Sequence, residues 1–502
     1  MNRPIQKVAI AVFVMIALLL ANATYVQVIE ANSLRNDPRN KRVLYDEYSR
    51  ERGMIVTSDG AILARSESTG GAYRYQRVYP QVQDSADSSE AFAPVTGYYS
   101  LYHGTTGLEL SENPFLSGSD DRLFTQRFTD MFAGRDPRGG NVETTLNSSL
   151  QLAAYHALKN GDCAGPCRGA VVALEPSTGK ILAMASSPSY DPNTLANQDF
   201  DAASSAWKAL NDPGRPSPLT NRAINELYPP GSTFKVVTSS TALNAGIKPD
   251  IRLTAASRIP LPDSTATLPN NDGETCPGAV NGTVTMAQAF QYSCNTAFAE
   301  LVTKKLPGDP VEQFTSTAKK FGVGEDPPGI PLDVAKSTVG DIGTDYAALA
   351  QSAIGERNVR LTALQNAVIA ATVANGGVRM KPYLVNRLLA ADTKPLYTTA
   401  PSAVNRPLTA EEADTLAGMM VRSEQSTAGA QAGIASKTGT TDSKRADGIP
   451  FAWYIAFSPS SGARIAVAVV IENGGMGANS YGGTIAAPIG RAVMNAYAGG
   501  AR

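Results

Sequence analysis

Three hydrophobic patterns divide the chain. Residues 8–29 carry no charge and are almost wholly apolar up to Leu20, a length that crosses a bilayer as one helix. The second pattern is short. Arg52-Gly53-Met54-Ile55-Val56-Thr57-Ser58 runs through Asp59-Gly60 into Ala61-Ile62-Leu63-Ala64, which reads as strand, turn, strand. Residues 66–92 are polar and weakly patterned apart from 73–79, and a glycine- and aromatic-rich segment follows over 97–109. The densest loop signal of the first third, Gly134-Arg135-Asp136-Pro137-Arg138-Gly139-Gly140, marks a domain boundary.

Beyond that boundary the apolar runs lengthen. An amphipathic helix over 148–158 leads to strands at 170–174 and 180–185, joined by the turn Ser177-Thr178-Gly179. Two more strands fall at 452–457 and 464–471, followed by a helix over 484–497. The residues between these sets are mainly helical and loop, including a helix over 361–374. Strands from both ends around a helical middle predict one antiparallel sheet flanked by helices, with an all-helical subregion. The expected class is α/β, with this domain at 146–502. A smaller, mixed, strand-rich and non-catalytic pedestal occupies 30–145, and an anchor occupies 8–29. No internal repeat is visible.

Composition narrows the function classes. A chain of 502 residues, 43% apolar and 18% charged, is globular and needs two or three units. A net charge of −1 gives no general argument for nucleic acid. Arg3 and Lys7 precede the apolar run, which makes it a signal anchor or a signal peptide. Ala21-Asn22-Ala23 resembles a cleavage site, but the uncharged span favours a retained anchor with residues 1–7 cytoplasmic. Arg35, Arg39, Lys41 and Arg42 follow the span and blunt a positive-inside count. Extracytoplasmic placement of the remainder therefore leans on function. Four cysteines, Cys163/Cys167 and Cys276/Cys294, fit an oxidising compartment. Two disulfides are expected, 163–167 and 276–294, with buried reduced thiols as the alternative.

Two histidines, His103 and His156, restrict the chemistry further. A histidine-rich metal site is excluded, and a Ser-His-Asp triad would need one of the two. His156 lies on an amphipathic helix, where a packed structural role is expected, and His103 lies in a loop expected to face solvent. Serine chemistry must then be run by lysine. Ser232-Thr233-Phe234-Lys235, entered through Tyr228-Pro229-Pro230-Gly231, puts a hydroxyl in the first turn of a helix with an amine three residues on, on the same face. The spacing alone is common: Ser177/Lys180, Ser205/Lys208 and Ser316/Lys319 share it. Ser232 is set apart by two motifs further down the chain. Tyr292-Ser293-Cys294-Asn295 offers a hydroxyl and an amide on one turn, and Ser436-Lys437-Thr438-Gly439-Thr440 offers a cation, hydroxyls and a glycine before a strand.

In this order the three motifs resemble the penicillin-binding proteins and serine β-lactamases, with Ser-Cys-Asn standing for Ser-Asp-Asn. Arg52-Gly53 with Asp59-Gly60, Gly107-Leu108-Glu109, Pro188-Ser189-Tyr190-Asp191-Pro192-Asn193 and Asn221-Arg222-Ala223 extend the resemblance to class B penicillin-binding proteins over most of the chain. The resemblance implies a D,D-transpeptidase that cross-links peptidoglycan stem peptides and is acylated by β-lactams. Ser232 would be the nucleophile and Lys235 its base. Ser293 would relay the proton, and Asn295 would hold Lys235 or the substrate amide. Lys437, Thr438 and Thr440 would bind the terminal carboxylate, and Gly439 would leave room for an edge-on peptide. The oxyanion hole would be the backbone N–H groups of Ser232 and Thr440. No cofactor or metal is expected. The implied partners are the cell membrane and cell-elongation or division proteins. Two alternatives stay open at this stage, a carboxypeptidase or β-lactamase hydrolase and a non-catalytic β-lactam sensor or scaffold.

Overall fold

The structure is a computed structural model of the chain, and the residues described are 3–30, 48–70, 73–132, 134, 138–326, 329–441 and 448–500. The four cations expected after the anchor, part of the boundary loop and most of the connection after Thr441 lie outside them.

Helix α1 (Arg3–Thr24) continues through a π-helical turn to Ile29, and none of its side chains is buried. At 1.5 Å per residue it is about 40 Å long, more than a hydrocarbon core of about 30 Å requires.

The strands of the two large sheets are, in chain order, β1 (Ile55–Val56), β2 (Ile62–Ser68), β3 (Tyr75–Val78), β4 (Asn141–Thr144), β5 (Gly169–Leu174), β6 (Ile181–Ser187), β7 (Val385–Leu389), β8 (Pro395–Thr398), β9 (Ala435–Thr440), β10 (Ala452–Ser458) and β11 (Ile465–Ile471). The helices used below are α2 (Ser88–Thr96), α3 (Phe124–Phe132), α4 (Ser148–Lys159), α5 (Lys235–Asn244), α6 (Met286–Gln291), α7 (Asn295–Glu300), α8 (Ala363–Ala374), α9 (Ala410–Gln425) and α10 (Ala487–Gly500).

The sheet of the larger domain runs β9-β10-β11-β5-β6, antiparallel throughout; four of its strands follow the apolar pattern, and β9, Ala435-Ser436-Lys437-Thr438-Gly439-Thr440, is a strand that pattern does not mark. Its inner strands are buried along their length save for Ser458 at the end of β10, because α4 and α10 pack on it together and α8 lies on β5 and β11. Strand β9 forms one edge. A strand at an edge keeps unpaired backbone groups, so a peptide can lie beside it.

The N-terminal sheet runs β8-β7-β4-β1-β2-β3. The Asp59-Gly60 turn joins β1 to β2 as expected, and Gly60 has the positive φ of +86° that such a turn demands. Its other half is unexpected. The hairpin of β7 and β8 comes from far down the chain and pairs with β4, Val385 opposite Thr144. Helix α2 is also unexpected from the hydrophobic pattern. Seven of its residues are buried, so it has no polar stripe to give it a helical period.

Arg52, Arg77 and Glu109 form a buried cluster in this domain. Arg52 Nε and Arg77 Nε each donate to a Glu109 carboxylate oxygen at 2.6 Å, and Tyr79 Oη donates to the same carboxylate at 3.3 Å. Burial alone would raise the Glu109 pKa, but the two guanidiniums hold it below the ordinary value.

Both histidines have partners. His103 does not face solvent: it stacks on Trp207 with ring centroids 4.8 Å apart, because the loop folds onto the helix Phe200–Leu210. His156 is half-exposed and hydrogen-bonds the Asp87 carboxylate at 2.9 Å. The four cysteines are paired as Cys163–Cys167 and Cys276–Cys294.

Candidate active site

Three segments meet at Ser232. The prolines at 229 and 230 stop the preceding chain, and a 3₁₀ turn over Gly231–Phe234 precedes α5. Ser232 thus sits one turn ahead of the α-helix rather than in its first turn, and Lys235 opens that helix. The backbone takes this route because Gly231 has φ +52° and Gly355 lies directly behind it, its carbonyl accepting the Gly231 N–H at 3.1 Å. A methyl on Gly355 would overlap the Gly231 backbone. Helix α5 is buried along its length despite its mixed polarity. Three of its hydroxyls find carbonyls instead: Ser240 donates to Val236, Thr241 to Val237 and Thr238 to Ala353.

The Ser232 hydroxyl lies 3.0 Å from Lys235 Nζ. That amine also lies 2.7 Å from the Ser293 carbonyl, 2.7 Å from Asn295 Oδ1 and 3.2 Å from Ser293 Oγ. Two of these neighbours can only accept. A neutral amine has two N–H donors and one lone pair, so donating to both leaves the lone pair for the serine proton. Burial, helped by the charge of Lys437, holds Lys235 well below its ordinary pKa, and Glu356 opposes this weakly.

Ser293 is held between the two lysines, with Lys437 Nζ 3.0 Å from its hydroxyl. Its φ of +60° is unusual for a residue with a side chain. The conformation is pinned from one side. Cys294 is tied to Cys276, Asn295 Nδ2 donates to the Pro269 carbonyl at 3.2 Å, and the Thr296 N–H donates to Asn270 Oδ1 at 3.0 Å. The buried Asn270 is not foreseen from the sequence, because nothing local marks it.

Lys437, Thr438, Gly439 and Thr440 lie on β9. Lys437 is 0% exposed, and its amine also donates to the Thr438 carbonyl at 3.0 Å. Burial pushes it down to about 7. Among the described residues neither lysine has a carboxylate at ion-pair distance. Thr438 and Thr440 are half-buried, and Thr440 Oγ1 accepts the Gly482 N–H at 3.1 Å, which leaves its own proton to donate. The hydroxyls therefore stand nearer the open edge than the Lys437 amine. Gly439 also has a steric role inside the domain. A Cβ there would meet the Pro230 carbonyl at 2.6 Å and the Thr233 methyl at 3.0 Å, so the glycine lets the serine turn seat on the strand. The same seam brings Gly231 against Thr440, whose backbone N would lie 3.4 Å from a methyl on the glycine.

Behind β9, Glu424 accepts from Ser436 Oγ at 2.5 Å, from Tyr454 Oη at 2.9 Å and from Arg491 Nε at 2.8 Å. Trp453 Nε1 donates to the Pro229 carbonyl at 2.9 Å and ties the sheet to the serine turn. Neither clamp is visible in the sequence, where Glu424 looks like one more polar position of an amphipathic helix.

The sequence model of the penicillin binding protein transpeptidase domain matches residues 169–495, nearly two-thirds of the chain. The chain belongs to this family. The model of the penicillin binding protein A dimerisation domain matches residues 52–142. Among curated proteins, the peptidoglycan D,D-transpeptidase PbpA of Mycolicibacterium smegmatis is 54% identical over 99% of both chains, and PbpA of Mycobacterium tuberculosis is 50% identical over 99% of both. Among solved structures, the ceftriaxone acyl-enzyme of penicillin-binding protein A from M. tuberculosis has a TM-score of 0.83 and 49% identity, covering 90% of this chain and 99% of that one. Its penicillin G acyl-enzyme superposes equally well. The class B resemblance read from the motifs thus holds over the whole transpeptidase-family chain.

Proposed function

We propose that the protein is a membrane-anchored peptidoglycan D,D-transpeptidase working through a serine acyl-enzyme and inactivated by β-lactams. The observation that carries this reading is the Ser232 hydroxyl 3.0 Å from a buried, depressed lysine amine. Ser232 Oγ attacks the carbonyl carbon between two D-alanines of a stem peptide, and its proton passes to Lys235. The C–N bond breaks, the departing D-alanine takes that proton through Ser293, and an ester remains on Ser232. An acceptor amine then attacks the ester and gives its proton to Lys235. The new amide forms and Ser232 recovers its hydrogen. Thr438 and Thr440 bind the substrate carboxylate within the field of Lys437, and Asn295 orients Lys235. The backbone N–H groups of Ser232 and Thr440 hold the oxyanion, each donor contributing about 3–4 kcal/mol. A β-lactam undergoes the same attack, but its amine stays tethered. Acyl-enzymes of the M. tuberculosis relative support this route.

The apolar α1 supports an anchor at 8–29 with residues 1–7 cytoplasmic, and the two disulfides support an extracytoplasmic remainder. Residues 30–145 form the pedestal, completed by the β7–β8 hairpin lent from the transpeptidase domain at 146–502. The pedestal is the natural docking unit for elongation or division proteins.

Fluorescent-penicillin labelling of the wild type and Ser232→Ala, with the adduct followed by intact mass, tests the assignment. One long-lived adduct on the wild type and none on the variant is expected. Turnover of the adduct within seconds would indicate a hydrolase instead.

A further inference from the structure

Helix α3 is amphipathic the wrong way round for a surface helix. Its one buried residue is Asp130. Gln126 accepts the Ala391 N–H at 3.0 Å, and Arg127 donates to the carbonyls of Gly118 and Ser119 at 3.3 and 3.0 Å. Its polar side therefore faces the protein. Phe124, Phe128, Met131 and Phe132, between 50% and 75% exposed, face outward. The rings form a ridge, with centroids of Phe124 and Phe128 6.2 Å apart and those of Phe128 and Phe132 4.5 Å apart. Helices on a wetted surface turn their apolar stripe to the core, and a contiguous exposed one marks an interaction surface.

The position of the ridge selects its occupant. The excursion that carries α3 leaves at Leu116, whose carbonyl accepts the Gly53 N–H at 2.8 Å, and returns at Gly139, whose N–H donates to the Glu51 carbonyl at 3.0 Å. Tyr48 is already buried against Tyr99, so the chain coming from α1 has joined the folded domain just ahead of these contacts at Glu51 and Gly53. Residues 31–47 span at most about 60 Å, so the base of the α3 excursion lies within that distance of whatever holds α1.

We propose that α3 docks the N-terminal domain onto the lipid bilayer, with Phe124, Phe128, Met131 and Phe132 seated at the headgroup–acyl boundary. The proposal rests on the membrane anchoring proposed above. An aromatic face of this kind suits that interface, and insertion needs no shape-matched partner. A second copy fits less well: four side chains expose roughly 500 Å² in all, against about 800 Å² per partner in a stable dimer. Among the described residues, Arg122 is paired with Asp120 and Lys394 with Asp392, so apolar insertion is the main contribution and little salt dependence is expected.

The full chain, reconstituted into phosphatidylcholine–phosphatidylglycerol vesicles with acyl chains brominated near the headgroup, tests this. Phe128→Trp is compared with Val280→Trp, at an exposed loop of the other domain, and with the parent chain. The indole from Phe128→Trp is expected to lose roughly half its emission to the brominated lipid, in low and high salt alike, and that from Val280→Trp none. Flotation with the vesicles but no quenching at Phe128→Trp overturns the docking while leaving the anchor. Failure to float overturns the anchor and the docking together. A blue shift that grows with protein density but ignores bromine assigns the ridge to a second copy and overturns the bilayer proposal.

Discussion

Two buried charge clusters in this protein are built on opposite terms. In the N-terminal domain Glu109 lies between Arg52 and Arg77, and every charge has a counter-charge within hydrogen-bond distance. In the catalytic cleft Lys235 and Lys437 are as deeply buried, yet among the described residues their hydrogen-bond partners are neutral: Ser232, Ser293, Asn295 and backbone carbonyls. Compensated charge stays charged and fixes geometry. Uncompensated charge gives up its proton, which turns an ammonium into a base. The first cluster is a fastener and the second a reagent, although both cost desolvation.

Removing one member of each cluster should therefore act on different observables. The largest expected effect is on rate. Lys235→Met is expected to slow acylation by penicillin G about 10²–10⁴-fold, as loss of a general base does, while the thermal midpoint stays level or rises. Stopped-flow acylation and calorimetry on the same preparation measure both. A variant that acylates normally would remove Lys235 from the mechanism. Next is Glu109→Gln, which strands two guanidiniums and is expected to cost about 3–5 kcal/mol in urea unfolding. Its penicillin labelling should be unchanged under folding conditions. If labelling fails while the fold persists, the pedestal cluster reaches the active site and the contrast collapses.

The catalytic cluster is far more legible in the sequence than the structural one. Ser232, Lys235, Ser293, Asn295 and Lys437 fall in short motifs, because a nucleophile and its base must be adjacent on one turn and the remaining groups sit on one tight loop and one strand end. The antiparallel sheet is legible for a similar reason at four of its five strands, which are continuous apolar runs, whereas the polar β9 is not. The illegible features depend on meetings across long stretches of chain. The β7–β8 hairpin looks like any surface hairpin until it pairs with β4. Glu424 beneath β9 and Asn270 beneath the Ser293 turn act only through partners folded onto them. Gly439 is legible as a glycine, but its close seating against the Pro230 carbonyl is not.

A smaller effect sharpens the contrast through pH. Burial takes Lys437 from 10.5 to about 7 in the folded chain. Between those values the unfolded chain binds the extra proton, so stability rises with pH across the window. The penalty is fully present below about 7 and gone above about 10.5. Lys437→Met should thus stabilise the protein at pH 6.5, by about 1–2 kcal/mol once the lost hydrogen bonds to Ser293 and the Thr438 carbonyl are offset. The gain should shrink toward zero by pH 9.5 or reverse. The paired cluster gives the control: Arg77→Met should destabilise at both pH values, because it leaves the buried Glu109 without a second counter-charge. Thermal midpoints of the two variants and the parent at pH 6.5 and 9.5 decide the matter. Equal shifts for Lys437→Met at both values would mean that its amine is neutral, or charged, throughout, and the cleft would then hold its lysines by the same logic as the pedestal.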